Sequence, residues 1–176
     1  HNLILSRNCV LDISQLPLNL NSSTKDLIPI IESVKNMMFV CGIACCQINR
    51  PEALTAFAPL MAIGGNVHIV HLERCGIQKG LTDLLEQIKK NPKLSVQYWN
   101  LSNNNIMDIA EFPEILSYSQ CPVYYVNLSY CGITNQVAEA LFKAFTANIN
   151  LLEIKHLYIA GIQTTNVQVK KHSKTT

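Results

Sequence analysis

Apolar and polar positions alternate in short bursts along this chain, and the bursts return at a near-constant distance. Residues 70–77 read VHLERCGI, residues 126–133 read VNLSYCGI, and residues 155–162 read KHLYIAGI. With Leu72 as anchor, phrases of the form L-x-x-L-x-L-x-x-(N/C)-x-I align at 37–48, 67–77, 96–106, 123–133 and 152–162, and a weaker copy occupies 2–10. The anchors are Leu5, Ile43, Leu72, Leu101, Leu128 and Leu157, separated by 38, 29, 29, 27 and 29 residues. Each phrase alternates like a strand with one buried face. Near its end stands a small residue or Asn: Asn8, Cys46, Cys75, Asn104, Cys131 and Ala160. A side chain there must fit inside a turning backbone, where Asn can satisfy buried amides of neighbouring coils and Cys or Ala serves as a small filler.

Between phrases the period becomes helical. Leu81, Leu84, Leu85 and Ile88 fall at i, i+3, i+4 and i+7, as do Val137, Ala140, Leu141 and, one residue later, Phe145. Asn91-Pro92 marks the end of the first of these helices, and Asn148 and Asn150 lie past the second. Segments 23–36, 51–63 and 109–119 carry Pro29, Pro59 and Pro113, so helices there are expected to be short, bent or broken. Pro51 suits a first helical turn. A unit of about 28 residues, strand then turn then helix, cannot bury both its apolar faces alone, whereas stacked units bury both.

The phrases LERCGI, LSNNNI and LSYCGI, the last followed by ITNQVAEALFKAF, resemble the leucine-rich repeat family in its longer, ribonuclease-inhibitor-like form. The resemblance implies an α/β fold: a horseshoe-shaped leucine-rich repeat solenoid with a parallel β-sheet on its concave side and helices on its convex side. It covers residues 1–162 as about five to six repeats, with 163–176 a frayed or truncated repeat or linker. Three departures stand out: Lys155 and Trp99 in the column otherwise held by aliphatic residues, and about ten extra residues in the first interval. Scaffolds that regulate actin by binding capping protein, GTPase-activating solenoids and ligand-sensing innate-immune receptors share this architecture. A ribonuclease inhibitor proper is expected to be acidic, and this chain carries a net charge of +2.

That near-neutral balance provides no global field for nucleic acid or an anionic membrane, and Lys170, Lys171 and Lys174 form the one basic cluster. No apolar run approaches the 18 or more residues of a membrane span, so no membrane insertion is expected. The chain begins at His1, which suggests a domain of a longer protein. Seven cysteines match no disulfide framework, and Cys41, Cys45 and Cys46 lack a second ligand pair at zinc spacing; reduced thiols in the cytoplasm are expected. The sequons at Asn21, Asn100 and Asn127 point the other way, but two of them arise from one repeated Asn-Leu-Ser phrase. No catalytic motif occurs, and no cofactor or metal is expected. Glu73 and Arg74 read as an ordinary exposed pair, with a GTPase-activating role for Arg74 as the sharper alternative.

The columns flanking the anchors place Ile69, His71, Arg74, Tyr98, Asn100, Tyr124, Tyr125, Asn127, Tyr130, His156 and Tyr158 on the concave face, with His71 and His156 in one outward column. Five of the six tyrosines therefore fall within about three strands, spaced about 4.8 Å apart. Tyrosines beside aliphatic side chains make binding hot spots. The expected partner is another protein or another segment of the parent chain. Strands favour Tyr in any case, so an unused surface is the plain alternative.

Overall fold

Six strands of three residues each form one parallel sheet in which sheet order is chain order, β1 to β6. The computed structural model describes residues 10–12, 14, 27–34, 42–44, 51, 53–63, 67–90 and 94–163. The strands are β1 (Val10–Asp12), β2 (Gly42–Ala44), β3 (Ile69–His71), β4 (Tyr98–Asn100), β5 (Tyr125–Asn127) and β6 (His156–Tyr158). Between them run α1 (Leu27–Val34), α2 (Ala53–Ile63), α3 (Leu81–Lys90), α4 (Phe112–Ser117) and α5 (Asn135–Ala147), and each helix packs on the next in the chain. The molecule is α/β, with one parallel sheet alternating with helices.

The middle residue of each strand points into the layer between sheet and helices. Leu11, Ile43, Val70, Trp99 and Val126 are all buried there and pair in one register, with Leu157 as the half-buried last member. These six positions lie 32, 27, 29, 27 and 31 residues apart. The anchors Leu72, Leu101 and Leu128 follow two residues later and are wholly buried. Backbone pairing continues past the strands: Leu72 N donates to Asn100 O (2.8 Å), Arg74 N to Ser102 O (3.1 Å), Asn103 N to Ser129 O (2.9 Å) and Tyr130 N to Ala160 O (2.8 Å). Arg74, Asn103 and Tyr130 hold the same left-handed conformation, at φ 53°, 59° and 58°.

The register differs from the sequence expectation at both ends. Ile43 pairs with Val70 rather than with Leu72, and Leu157 pairs with Val126 rather than with Leu128. In the last unit Gln163 bridges to Thr134 although Leu157 pairs with Val126, so the turn between them is two residues shorter than its predecessor. Lys155 consequently leaves the inward column, and Ala160 aligns with Ser129 instead of with the small turn residue. The strand of the first unit is Val10–Asp12, 32 residues before Ile43, which removes most of the supposed insertion; Leu5 and Asn8 lie outside the described residues. So do Cys9, Asn21, Cys41, Cys45, Cys46, Asn91-Pro92 and the segment 164–176.

The helical layer is less regular. α3 buries Leu84, Leu85 and Ile88, with Asp83 in its first turn and Lys89 and Lys90 in its last, the favourable order for the helix dipole. Its N-terminus is capped from the next unit: Asp108 Oδ2 accepts from Gly80 N and Thr82 N, each at 2.9 Å. Gly80 has φ 126°, and a Cβ there meets Thr55 N at 2.6 Å, so α2 approaches too closely for a side chain. Pro113 sits in the first turn of the six-residue α4, where its missing N–H costs nothing. Pro59 lies inside the eleven-residue α2 without breaking it, because buried Leu54, Phe57, Ala58 and Met61 hold the helix against the core. Over the short α4, Trp99 fills the inward column and meets Phe112 edge-on at 5.2 Å.

The small turn residue does what its position demands. Asn104 is buried; its Oδ1 accepts from Cys75 N and Ile77 N, both at 3.0 Å, and its Nδ2 donates to Leu72 O (2.8 Å) and Leu101 O (2.6 Å). One unit later the Cys131 thiol takes up part of that task by donating to Leu101 O at 2.9 Å.

Truncating Leu101 or Leu128 to Ala is expected to cost about 2–5 kcal/mol in denaturant unfolding, the range for wholly buried leucines. Asn104→Ala removes the side-chain partner of two amides and two carbonyls across two units, of which Leu101 O keeps the Cys131 thiol, and its cost is expected to exceed that of Cys131→Ala by at least about 1 kcal/mol. Equal losses in the two variants contradict the bridging role of the amide.

Candidate functional site

Parallel pairing in a fixed register stacks equivalent side chains on the sheet face turned away from the helices. Gly42, Ile69, Tyr98, Tyr125 and His156 form one column; Ala44, His71, Asn100, Asn127 and Tyr158 form the other. His71 and His156 thus belong to different columns, contrary to the sequence expectation, because β6 is shifted by two residues.

The aromatic members form a continuous row. Tyr98 and Tyr125 stack face to face, with ring centroids 4.1 Å apart and planes at 11°. His71 flanks Tyr98 at 6.2 Å on the β3 side. Tyr158 and His156 flank Tyr125 at 5.6 Å and 6.1 Å on the β6 side. The row crosses four strands, β3 to β6, and its rings remain partly exposed, Tyr158 by 47%.

Other residues expected in this cluster lie outside the row. Tyr124 stands one residue before β5, where Lys155 Nζ sits 5.2 Å above its ring. Tyr130 occupies the left-handed turn after β5, exposed by 63%, with its ring against Gly161. Gly161 has φ 76°, and a Cβ there lies 2.7 Å from that ring, so both the turn and the close approach require glycine. Ile69 lies beside the row on β3, half-buried.

Asn100 and Asn127 act on their own turns. Asn100 Oδ1 accepts from Ser102 N and Ser102 Oγ, and Asn127 Oδ1 accepts from Ser129 N at 3.1 Å. Asn100 is 4% exposed, and its Nδ2 donates to Glu73 Oε2 at 3.4 Å. Glu73 also lies 3.6 Å from His71 Nε2 and 3.7 Å from Arg74 Nε. This carboxylate, read from the sequence only as the partner of Arg74, therefore also meets His71 and Asn100 at the β3 end of the row. The Arg74 side chain is exposed but engaged with its neighbour.

Of the three described cysteines, Cys75 and Cys131 are buried. Among the described residues no group of three or more His, Cys, Asp or Glu side chains converges on a metal-sized site. Burial pushes the Cys131 thiol up to about 12, far from thiolate formation at neutral pH, and burial also raises Cys121, which remains partly accessible. Among the described cysteines, native alkylation is expected to label Cys121 first and to spare Cys75 and Cys131. The Cys131 thiol is protonated in the folded state and ionises more readily once unfolded. Its stabilising contribution is therefore complete below the ordinary value of 9.0 and is lost as pH rises toward 12. Rapid labelling of Cys131 at neutral pH contradicts its place in the buried turn.

No helix among the described residues is long and apolar enough to cross a membrane. Neither a protein-family model nor a curated protein matches the sequence.

Proposed function

We propose that this chain is a non-catalytic protein-interaction module, a leucine-rich repeat solenoid of the ribonuclease-inhibitor-like kind working in the cytoplasm. Its sheet face would grip another protein or another segment of its parent chain. The observation that carries the reading is the continuous aromatic row on β3 to β6, whose rings remain partly exposed. Stacked tyrosines offer large, rigid contact area at little cost in side-chain entropy, and such residues dominate binding energy at interfaces. The solenoid assignment is supported by units 27–32 residues apart whose strands and helices each contact the next unit in the chain. The buried free thiols Cys75 and Cys131 fit a reducing compartment.

The test is capture of partners from cytosol by the wild type and by a Tyr98→Ala, Tyr125→Ala, Tyr158→Ala variant, read by mass spectrometry. A partner of the wild type is expected to lose affinity for the variant by at least about thirtyfold, the size of one hot-spot truncation. Equal recovery by the two proteins contradicts the reading and moves any binding surface to the helical side.

A further inference from the structure

We propose that two copies of this chain join through β6, pairing antiparallel about a two-fold axis at Leu157 so that their six-stranded sheets become one. This goes beyond the reading of the open face as a binding surface and does not depend on what that face grips.

The last unit is built like its predecessor but is left uncovered. Sheet order ends at β6, so among the described residues no strand lies on its far side. Leu157, Ile159 and Ile162 are half-buried, whereas the residues they align with one unit earlier, Val126, Leu128 and Ile133, are at most 1% exposed. The opposite end of the sheet differs: Leu11 on β1 is 1% exposed, so the β6 of a copy finds no open column there. Head-to-tail stacking is thereby disfavoured, and a symmetric contact of β6 with itself remains. Residues 164–176 hold only Val167 and Val169 as aliphatic side chains and no helical stripe, too little for a seventh unit.

The edge suits an antiparallel copy in three respects. Backbone groups alternate in direction along a strand. His156 N donates to Tyr124 O at 3.1 Å and Tyr158 O accepts from Leu128 N at 2.8 Å, both toward β5, so Leu157 N–H and C=O turn to the free edge. In an antiparallel ladder a residue so oriented exchanges both bonds with the residue opposite, and here Leu157 meets Leu157 of the copy. The side-chain pattern about Leu157 also reads the same in both directions. One inward aliphatic residue stands between two outward rings, His156 and Tyr158, whose planes lie at 1° to each other. Antiparallel pairing sets each His156 opposite Tyr158 of the copy and continues the inward column through paired leucines. Finally, a lysine beside an edge strand ordinarily guards it against pairing. Lys155 is turned away from that task, with its Nζ 5.2 Å over the ring of Tyr124 on the β5 side. Opposite it in the ladder stands Ile159 of the copy, so like charges do not meet.

Sedimentation equilibrium of the full chain, with isotope-filtered nuclear Overhauser effects, tests this. The chain is expected to be monomeric at about 1 µM and to reach twice its 19.7 kDa by about 100 µM. Mixed-label samples are expected to show contacts from His156 Hα to Tyr158 Hα of the copy, the close pair that flanks a hydrogen-bonded one. His156→Lys with Tyr158→Lys gathers like charges at the axis and is expected to weaken the dimer by at least about tenfold. His156→Glu with Tyr158→Lys sets opposite charges across it and is expected to stay within about threefold of the wild type. Both positions are exposed, and the emission of the buried Trp99 checks that each variant folds.

A chain still monomeric at the higher concentration, assemblies larger than a dimer, or a dimer that responds alike to the two double variants overturns the proposal. Monomers with contacts from Val167 or Val169 to Leu157 overturn it as well and assign the edge to the chain's own segment 164–176.

Discussion

The side-chain amide of Asn104 lies between two successive units and satisfies backbone groups of both. A strand of three residues cannot hold a sheet by itself, and each turn leaves amides and carbonyls pointing into the core. Some find partners within their own turn, and others in the neighbouring unit, through the continued ladder at Leu72, Arg74, Asn103 and Tyr130 and through the buried turn residue. Once the turns are locked in this way the strand register is fixed, and the open face inherits its columns. The stacking of Tyr98 on Tyr125 is a consequence of that register.

The helical layer tolerates more variation because it is not part of that hydrogen-bonded frame. Helices of six to thirteen residues occupy equivalent places, and the core adjusts by side-chain size, most visibly where Trp99 meets Phe112 over the short α4. Contacts between units still constrain it locally, at Gly80 against α2 and at Asp108 on the N-terminus of α3. The two faces therefore carry different chemistry: charged, irregular helices on one side, and on the other a short aromatic row with one half-buried carboxylate at its end.

The three central units were legible because Leu72, Leu101 and Leu128 each sit in an unbroken phrase ending in the same buried turn. The second and last units differ from the sequence reading by two residues, and the reason is geometric. A slip of one residue exchanges the faces of a strand, but a slip of two preserves them, so alternation alone cannot separate Ile43 from Cys45 or Leu157 from Ile159. The Gly161-Ile162 pair drew the last phrase into line with its predecessors and hid a shortened turn. At the candidate site, Tyr98 and Tyr125 shared a column and could be paired from spacing. Tyr124 and Tyr130 lay near that column in sequence, yet one precedes the strand and the other follows it in a left-handed turn. Neither the Asn100–Glu73 contact nor the capping role of Asp108 leaves a local pattern, since both span 26–28 residues.

The placement of the row depends most directly on the register of β6, and nuclear Overhauser effects across β5 and β6 measure it. The structure pairs Tyr125 with His156, so backbone contacts between these two, and ring contacts from Tyr125 to His156 and Tyr158, are expected. Backbone contacts of Tyr125 to Ile154 instead would restore the unshifted repeat, remove Tyr158 from the row and contradict the account of the open face.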